Sequence, residues 1–367
     1  MADVTISVIK GSVGGLVGTS RVHPELLEKA SRMLKNAEGD LLIDSFVAHA
    51  GDELELIMTH RNGIEDPEIH GLAWSVFLEC TEIAQNLRLF GAGHDIVSGA
   101  FDDTAKDTVP GCAEMEFEER ESEPVLIFMA DKIRPGAWNY YLYRMFADPF
   151  NTPGLVLDPA LAGGFSFEVH DSADGRAITL ATPSESYALL AYIGAPSRYV
   201  VRRVRRREGG EEIAAVTSDQ RPDSTGGRRF GKDDPVMIVR AQNGFPATGE
   251  LLEPFASPAI VAGWMRNSHH GPLIPIALYD ANCTRFDGPP RVACLGFQVA
   301  NGRLVGPVDM FDDPGFDRAR ARCHEIADIL RVQGPFEPHR LPLADLDFAA
   351  LAHIEEEFGD RWRPLLR

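Results

Sequence analysis

Lysine is scarce in this 367-residue chain, with only Lys10, Lys29, Lys35, Lys106, Lys132 and Lys232 among 36 basic side chains. Arginine carries the remaining positive charge, and a guanidinium cannot give up its proton to act as a nucleophile, whereas an amine can. Positive charge as a whole is also short: 36 Lys and Arg stand against 55 Asp and Glu, a formal net charge of −19. That balance opposes binding of nucleic acid or of an anionic membrane surface, and any phosphate on a substrate must meet local positive charge or a bound metal. Cysteine is sparse, and Cys80, Cys112, Cys283, Cys294 and Cys323 form no Cys-x-x-Cys pair. Reduced thiols in a cytoplasmic protein are the expectation. The chain lacks any apolar run of about 20 residues, the length that spans a bilayer. Its first ten residues read as a strand, not a signal peptide. Full dinucleotide and P-loop spacings are missing too, leaving only the loose Gly11-Ser12-Val13-Gly14-Gly15 turn. Residues 1–367 show no repeats and no convincing domain boundary, a length that allows two domains or one large α/β domain.

What the chain does hold is an alternation of strands and helices. Pro24 opens a helix with apolar residues at Leu26, Leu27, Ala30, Met33 and Leu34. Strands over 41–48 and 54–59 follow, joined by His49-Ala50-Gly51-Asp52-Glu53. An acidic pair at a strand entrance suits a hard cation that takes oxygen ligands, and equally a solvated hairpin tip. Residues 66–88 read as an amphipathic helix with Ile69, Leu72, Ala73, Val76, Phe77 and Cys80 on its buried stripe. The apolar run 125–130 has the pattern of a buried strand and empties into Asp131-Lys132, a charged pair where α/β sheets often place a site. Strands near 165–170, 176–181 and 198–205, and helices near 184–193, 314–332 and 344–357, complete the reading. Strand alternation splits the basic run 202–207 across two faces, so an exposed edge or subunit contact is expected there rather than a nucleic-acid groove.

The chemistry concentrates in Arg229-Phe230-Gly231-Lys232-Asp233-Asp234-Pro235, where one amine stands directly beside two carboxylates in a turn. Two further loops, Gly263-Trp264-Met265-Arg266 and Arg285-Phe286-Asp287-Gly288, offer cations and donors. With the runs Thr5–Lys10, Leu56–His60, Phe128–Lys132, Met145–Val156, Gly231–Val239 and Asn301–Pro307, these segments resemble the archaeal-type bifunctional fructose-1,6-bisphosphate aldolase/phosphatase family over nearly the whole chain. The resemblance implies an α/β (α+β) fold, a four-layer α-β-β-α sandwich in a single domain, assembled as a homo-octamer. It also implies magnesium and two activities at one remodelling site: a Schiff-base aldol condensation of triose phosphates, and hydrolysis of the resulting bisphosphate. By the same resemblance Lys232 matches the Schiff-base lysine. Asp52, Asp131, Asp233 and Asp234 match magnesium ligands, and Glu53 replaces another. Lys132, Arg266 and Asp287 match positions that contact phosphate or sugar.

Several positions depart from the family pattern. Ser12 and Thr19 stand where the family has an Asp and a His ligand, and His94 stands for a ligand Gln. Phe90, Arg229 and Phe348 replace tyrosines. Asp102 and Asp103 replace a Gly-Asn pair that donates to a substrate phosphate, which ionised carboxylates cannot do. Arg229 is expected to ease deprotonation of Lys232 by like-charge repulsion, with His94 or Glu53 moving protons. The expectation drawn from these departures is a diverged, cytoplasmic lysine-iminium enzyme. It makes or breaks a carbon–carbon bond on a small carbonyl substrate, phosphorylated or amine-bearing, that differs from fructose bisphosphate. Its phosphatase activity is reduced or lost, and it holds magnesium in fewer ions than the family, or none. A working aldolase/phosphatase of gluconeogenesis and a non-catalytic oligomeric binding protein are the alternatives.

Overall fold

The computed structural model describes residues 3–93, 111–208, 212–218, 235–264, 269–285, 288–332 and 349–365. The chain opens on β1 (Asp3–Ser12), a short ribbon of β2 (Gly15–Leu16) and β3 (Arg21–Val22), and helix α1 (Pro24–Ala37). A hairpin of β4 (Asp44–Ala50) and β5 (Glu53–His60) leads to helix α2 (Pro67–Asn86) and then to β6 (Cys112–Glu118). Both helices start at a proline, whose fixed φ suits the first helical position. Asp66 caps α2 by accepting from the Glu68 and Ile69 amides, both at 3.0 Å. These strands form an antiparallel sheet in the order β4-β5-β1-β6.

The larger sheet begins with β7 (Glu123–Asp131) and continues through β8 (Phe165–Asp171), β9 (Arg176–Ala181), β10 (Tyr199–Arg206), β11 (Ile213–Thr217) and β12 (Val236–Arg240). After the side ribbon of β13 (Ile260–Gly263) and β14 (His269–Pro272) come β15 (Ile274–Pro275), β16 (Arg291–Ala300), β17 (Arg303–Asp309) and β18 (Arg363–Pro364). The order is β15-β16-β7-β12-β11-β10-β8-β9-β18, with β17 on the other side of β16. This corrects the expectation for the basic run: β10 lies between β11 and β8, not at an edge. Its alternate side chains Arg203 and Arg205 share an ion pair with Glu168, at 3.6 and 3.2 Å.

Period-two alternation sorts the strands into layers. On β1, Val4, Ile6 and Val8 meet Val125, Ile127 and Met129 of β7 in a core between the two sheets. Ile9 of β1 and Leu54, Leu56 and Met58 of β5 face the other way, against α1 and α2. Leu126, Phe128 and Ala130 of β7 pack on the helices Trp138–Ala147 and Ser186–Ile193. The result is the expected four-layer α-β-β-α sandwich, with an apolar core at each of three interfaces. No helix among the described residues is long and apolar enough to cross a membrane.

Candidate active site

The apolar layer between the sheets ends in a polar one. The inward parity of β1 continues from Val8 to Lys10 and Ser12, and that of β7 from Met129 to Asp131. Directly across the β1–β5 ladder Lys10 faces Glu55, and its ammonium lies 3.9 Å from Glu53 Oε2. The β4–β5 turn, Gly51-Asp52, delivers Asp52 to the same layer, where Ser12 Oγ donates to Asp52 Oδ2 at 3.3 Å. Lys10, Asp52, Glu53, Asp131 and Lys132 are each no more than 5% exposed. Charges this buried must be paired or must hold an ion.

Lys132 binds the arrangement together. Its φ of +63° is unusual for a side-chain-bearing residue and turns the chain back at the end of β7. The ammonium donates to Asp52 Oδ1 at 3.2 Å and lies 3.0 Å from Asp131 Oδ1. Gly263 fits against this turn because a Cβ there would sit 2.5 Å from the Lys132 carbonyl oxygen. The other oxygen of Asp131 accepts from the Cys283 thiol, a contact from a loop with no signal in the sequence. Burial first, and then the Asp131 carboxylate, push that thiol far above its ordinary range, so it remains protonated and can donate. His49, just ahead of the turn, is held below the ordinary imidazole range by burial and by Arg21, against the Gly51 carbonyl at 3.2 Å.

Asp52, Glu53, Asp131 and Lys132 are thus brought together as expected. Phe90 lies at the rim, its backbone exchanging hydrogen bonds with Gly15 at 2.9 and 3.1 Å while its ring is 64% exposed. Arg229, Lys232, Asp233, Asp234, His94, Arg266, Asp287, Asp102, Asp103 and Phe348 lie outside the described residues. The strand after Asp233-Asp234 begins with Val236 paired to Met129, two residues before Asp131. Lys10 and Cys283 were missed by sequence reasoning. For Lys10 a signal existed: one of six lysines, at an inward position of an otherwise apolar alternation.

The donor set fits a hard divalent cation. Its oxygens are carboxylates, which such cations prefer. Asp131 Oδ1 is buried and receives no aligned hydrogen bond, despite its nearness to Lys132. Gly51 leaves the approach open, since a Cβ there would meet Asp131 Oδ1 at 2.4 Å.

Residues 3–363 match the family model described as fructose-1,6-bisphosphatase. The fructose-1,6-bisphosphate aldolase/phosphatase of Moorella thermoacetica is 56% identical over 359 residues, 98% of this chain and 94% of that protein. The protein of the same name from Methanothermobacter marburgensis is 53% identical over 362 residues, covering 98% and 99% of the two chains. That from Thermococcus kodakarensis is 52% identical over 368 residues, covering 99% and 98%. Likeness of this extent, to relatives named for both activities, overturns the expectation of a different carbonyl substrate and a lost phosphatase. The departures weigh less than they do when read singly. Two of those among the described residues keep a place in the cluster: Ser12 donates to Asp52, and Glu53 stays buried beside Lys10.

Proposed function

The chain belongs to the fructose-1,6-bisphosphatase family, and from that membership we propose that it is a fructose-1,6-bisphosphate aldolase/phosphatase. The observation that carries the reading is the buried Asp52–Lys132–Asp131 cluster, an ammonium between two carboxylates at a strand end. In this reading Lys132 is the positive charge that meets a substrate phosphate, as the acidity of the chain requires. Asp52, Glu53 and Asp131, with Asp233 and Asp234, would hold magnesium, which supplies charge neutralisation for the departing phosphate. Ser12 and Cys283 orient the Asp52 and Asp131 carboxylates through their second oxygens.

The aldol half of the reading rests on Lys232. Its amine adds to a ketone carbonyl and loses water, and the iminium releases an α-proton to give a carbon nucleophile for an aldehyde. Arg229 favours the neutral amine and His94 accepts or returns protons. Arg266 and Asp287 contact the sugar phosphate, with Phe90, Asp102, Asp103 and Phe348 around it. A cytoplasmic homo-octamer belongs to the same reading, and sedimentation of the purified protein checks the assembly.

With magnesium, the purified protein should release inorganic phosphate from fructose 1,6-bisphosphate. It should also form that bisphosphate from dihydroxyacetone phosphate and glyceraldehyde 3-phosphate, the halves that cleavage of its central bond would give. Borohydride added during condensation should leave a reduced adduct on Lys232, read by peptide mass spectrometry. Folded protein with neither activity rejects the function; both activities without an adduct at Lys232 reject only the imine.

A further inference from the structure

A second cluster of ligand-bearing side chains lies on the opposite face of the small sheet, between β6 and the first turn of α2. Cys112 and Glu114 are two residues apart on β6 and so share a face, and His70 descends onto them from the helix. His70 Nε2 lies 3.2 Å from Glu114 Oε1 and 3.9 Å from Cys112 Sγ, and the three donor atoms all fall within 4.8 Å of one another. A tetrahedral zinc with its usual bond lengths separates neighbouring nitrogen, oxygen and sulfur ligands by roughly 3.3 to 3.8 Å, so the observed pairs bracket that spacing. His70 is 3% exposed and Cys112 8%, while the other ring nitrogen of His70 is buried without a hydrogen-bond partner. The imidazole is therefore aimed by the nitrogen that faces Glu114 and Cys112.

The surroundings fix one of these ligands in place by hydrogen bonds. The Asn62 amide donates to His60 Nδ1 at 3.3 Å, which leaves Nε2 as the protonated nitrogen of a neutral ring. That Nε2 lies 2.8 Å from Ser7 Oγ, whose own proton goes to Glu114 Oε1 at 2.6 Å, and the Glu65 amide donates to Oε2 at 2.7 Å. The relay runs in one direction and ends on the carboxylate. Hydrogen bonds of this kind fix first ligands in metal sites.

We propose that His70, Cys112 and Glu114 form a structural site for a zinc-like divalent cation, separate from the carboxylate cluster at the strand ends. One nitrogen, one sulfur and one oxygen suit zinc, and the thiolate excludes magnesium as the resident ion. A neutral imidazole, a thiolate and a carboxylate around a doubly charged ion sum to zero, which a buried position tolerates. Binding releases the Cys112 thiol proton, while the single ring proton of neutral His70 sits on Nδ1 and leaves Nε2 free to coordinate. The bound ion would clamp α2 to β6, the strand that follows residues 94–110.

The test uses chelator-stripped full-length protein, held in excess magnesium and titrated with cobalt(II) as a spectroscopic stand-in for zinc. One cobalt per chain should bind with a thiolate-to-cobalt charge-transfer band in the near ultraviolet, and zinc should bleach that band. Cys112→Ser should lose the band, while Cys283→Ser should keep it. Ser7→Ala should weaken binding about 10- to 100-fold, as the loss of an outer-shell hydrogen bond does in metal sites. Wild-type protein without the band overturns the proposal whatever the variants do. So does a band that survives in Cys112→Ser. The readout is independent of the aldolase/phosphatase activity.

Discussion

Gly51 shows at the residue scale how closely the active-site cluster is built. It sits at φ +58°, and an added Cβ would lie 2.4 Å from Asp131 Oδ1 and 2.6 Å from its carboxyl carbon. Gly51→Ala therefore strains the turn and pushes on a carboxylate already held by Lys132 and Cys283. We predict a loss of about 100-fold in phosphate release, the scale expected of a misplacement near 1 Å, with a rise in the magnesium needed for half-maximal rate. Steady-state rates against magnesium concentration check it; a variant that melts lower but keeps wild-type magnesium dependence would refute the link between Gly51 and Asp131. Asp131 and Lys132 were legible in the sequence because a charged pair ends an apolar run. Cys283 was not, because its contact with Asp131 spans 152 positions and comes from a loop with no periodicity.

Elements were more legible than contacts, for a physical reason. Hydrophobic period and proline placement act within a few residues, so α1 begins at Pro24 as expected, and β8, β9 and β10 fall where alternation predicts them. Lateral strand order is decided by pairing between distant segments, and so β10 was misread as an edge. The same distance hid the ion cluster at the far end of β7. There Glu123 is fully buried, and Arg240 of β12 donates to it at 2.6 and 2.9 Å. Arg120 adds contacts at 2.5 and 2.8 Å. Burial works against ionisation of Glu123, but the two guanidiniums outweigh it and hold the carboxyl below its ordinary range. Arg240 is 1% exposed, so Glu123→Gln leaves it with an amide instead of an anion. Losing one partner of a buried pair should destabilise by about 3–5 kcal/mol. Urea unfolding of the variant measures this. A change under about 1 kcal/mol would mean that Arg240 finds solvent or another acceptor, contrary to the packing seen here.

For the whole molecule the question is how a chain with a formal charge of −19 responds to acid. Lowering pH from neutrality toward the sequence pI of about 5.0 relieves self-repulsion, which favours the folded state. Two sets of groups oppose that gain. Burial keeps His49 and His60 below the ordinary imidazole value of 6.5, so below that pH the unfolded chain takes up protons that the folded one refuses. Repulsion among surface charges is screened beyond roughly 8 Å at physiological salt, whereas buried imidazoles are not, so the histidines prevail there. Stability should therefore be greatest above pH 6.5 and decline in two stages. The second stage belongs to carboxylates held below their ordinary range, and Glu168 is the clearest. Burial raises its pKa, but the hydrogen bond from His170 and the charges of Arg203 and Arg205 bring it from 4.5 down to about 2. A depressed carboxylate contributes its full stabilisation above the unfolded pKa and loses it as pH falls through the folded one. For Glu168 that window is 4.5 to about 2, and the gap corresponds to about 3 kcal/mol. Glu168→Gln should thus be less stable than wild type by about 3 kcal/mol at pH 7, with the difference shrinking below pH 4.5 and gone near pH 2. Denaturant titrations of both proteins at several pH values decide it: a difference that stays constant through that window would mean the carboxylate acts by packing, not by its charge.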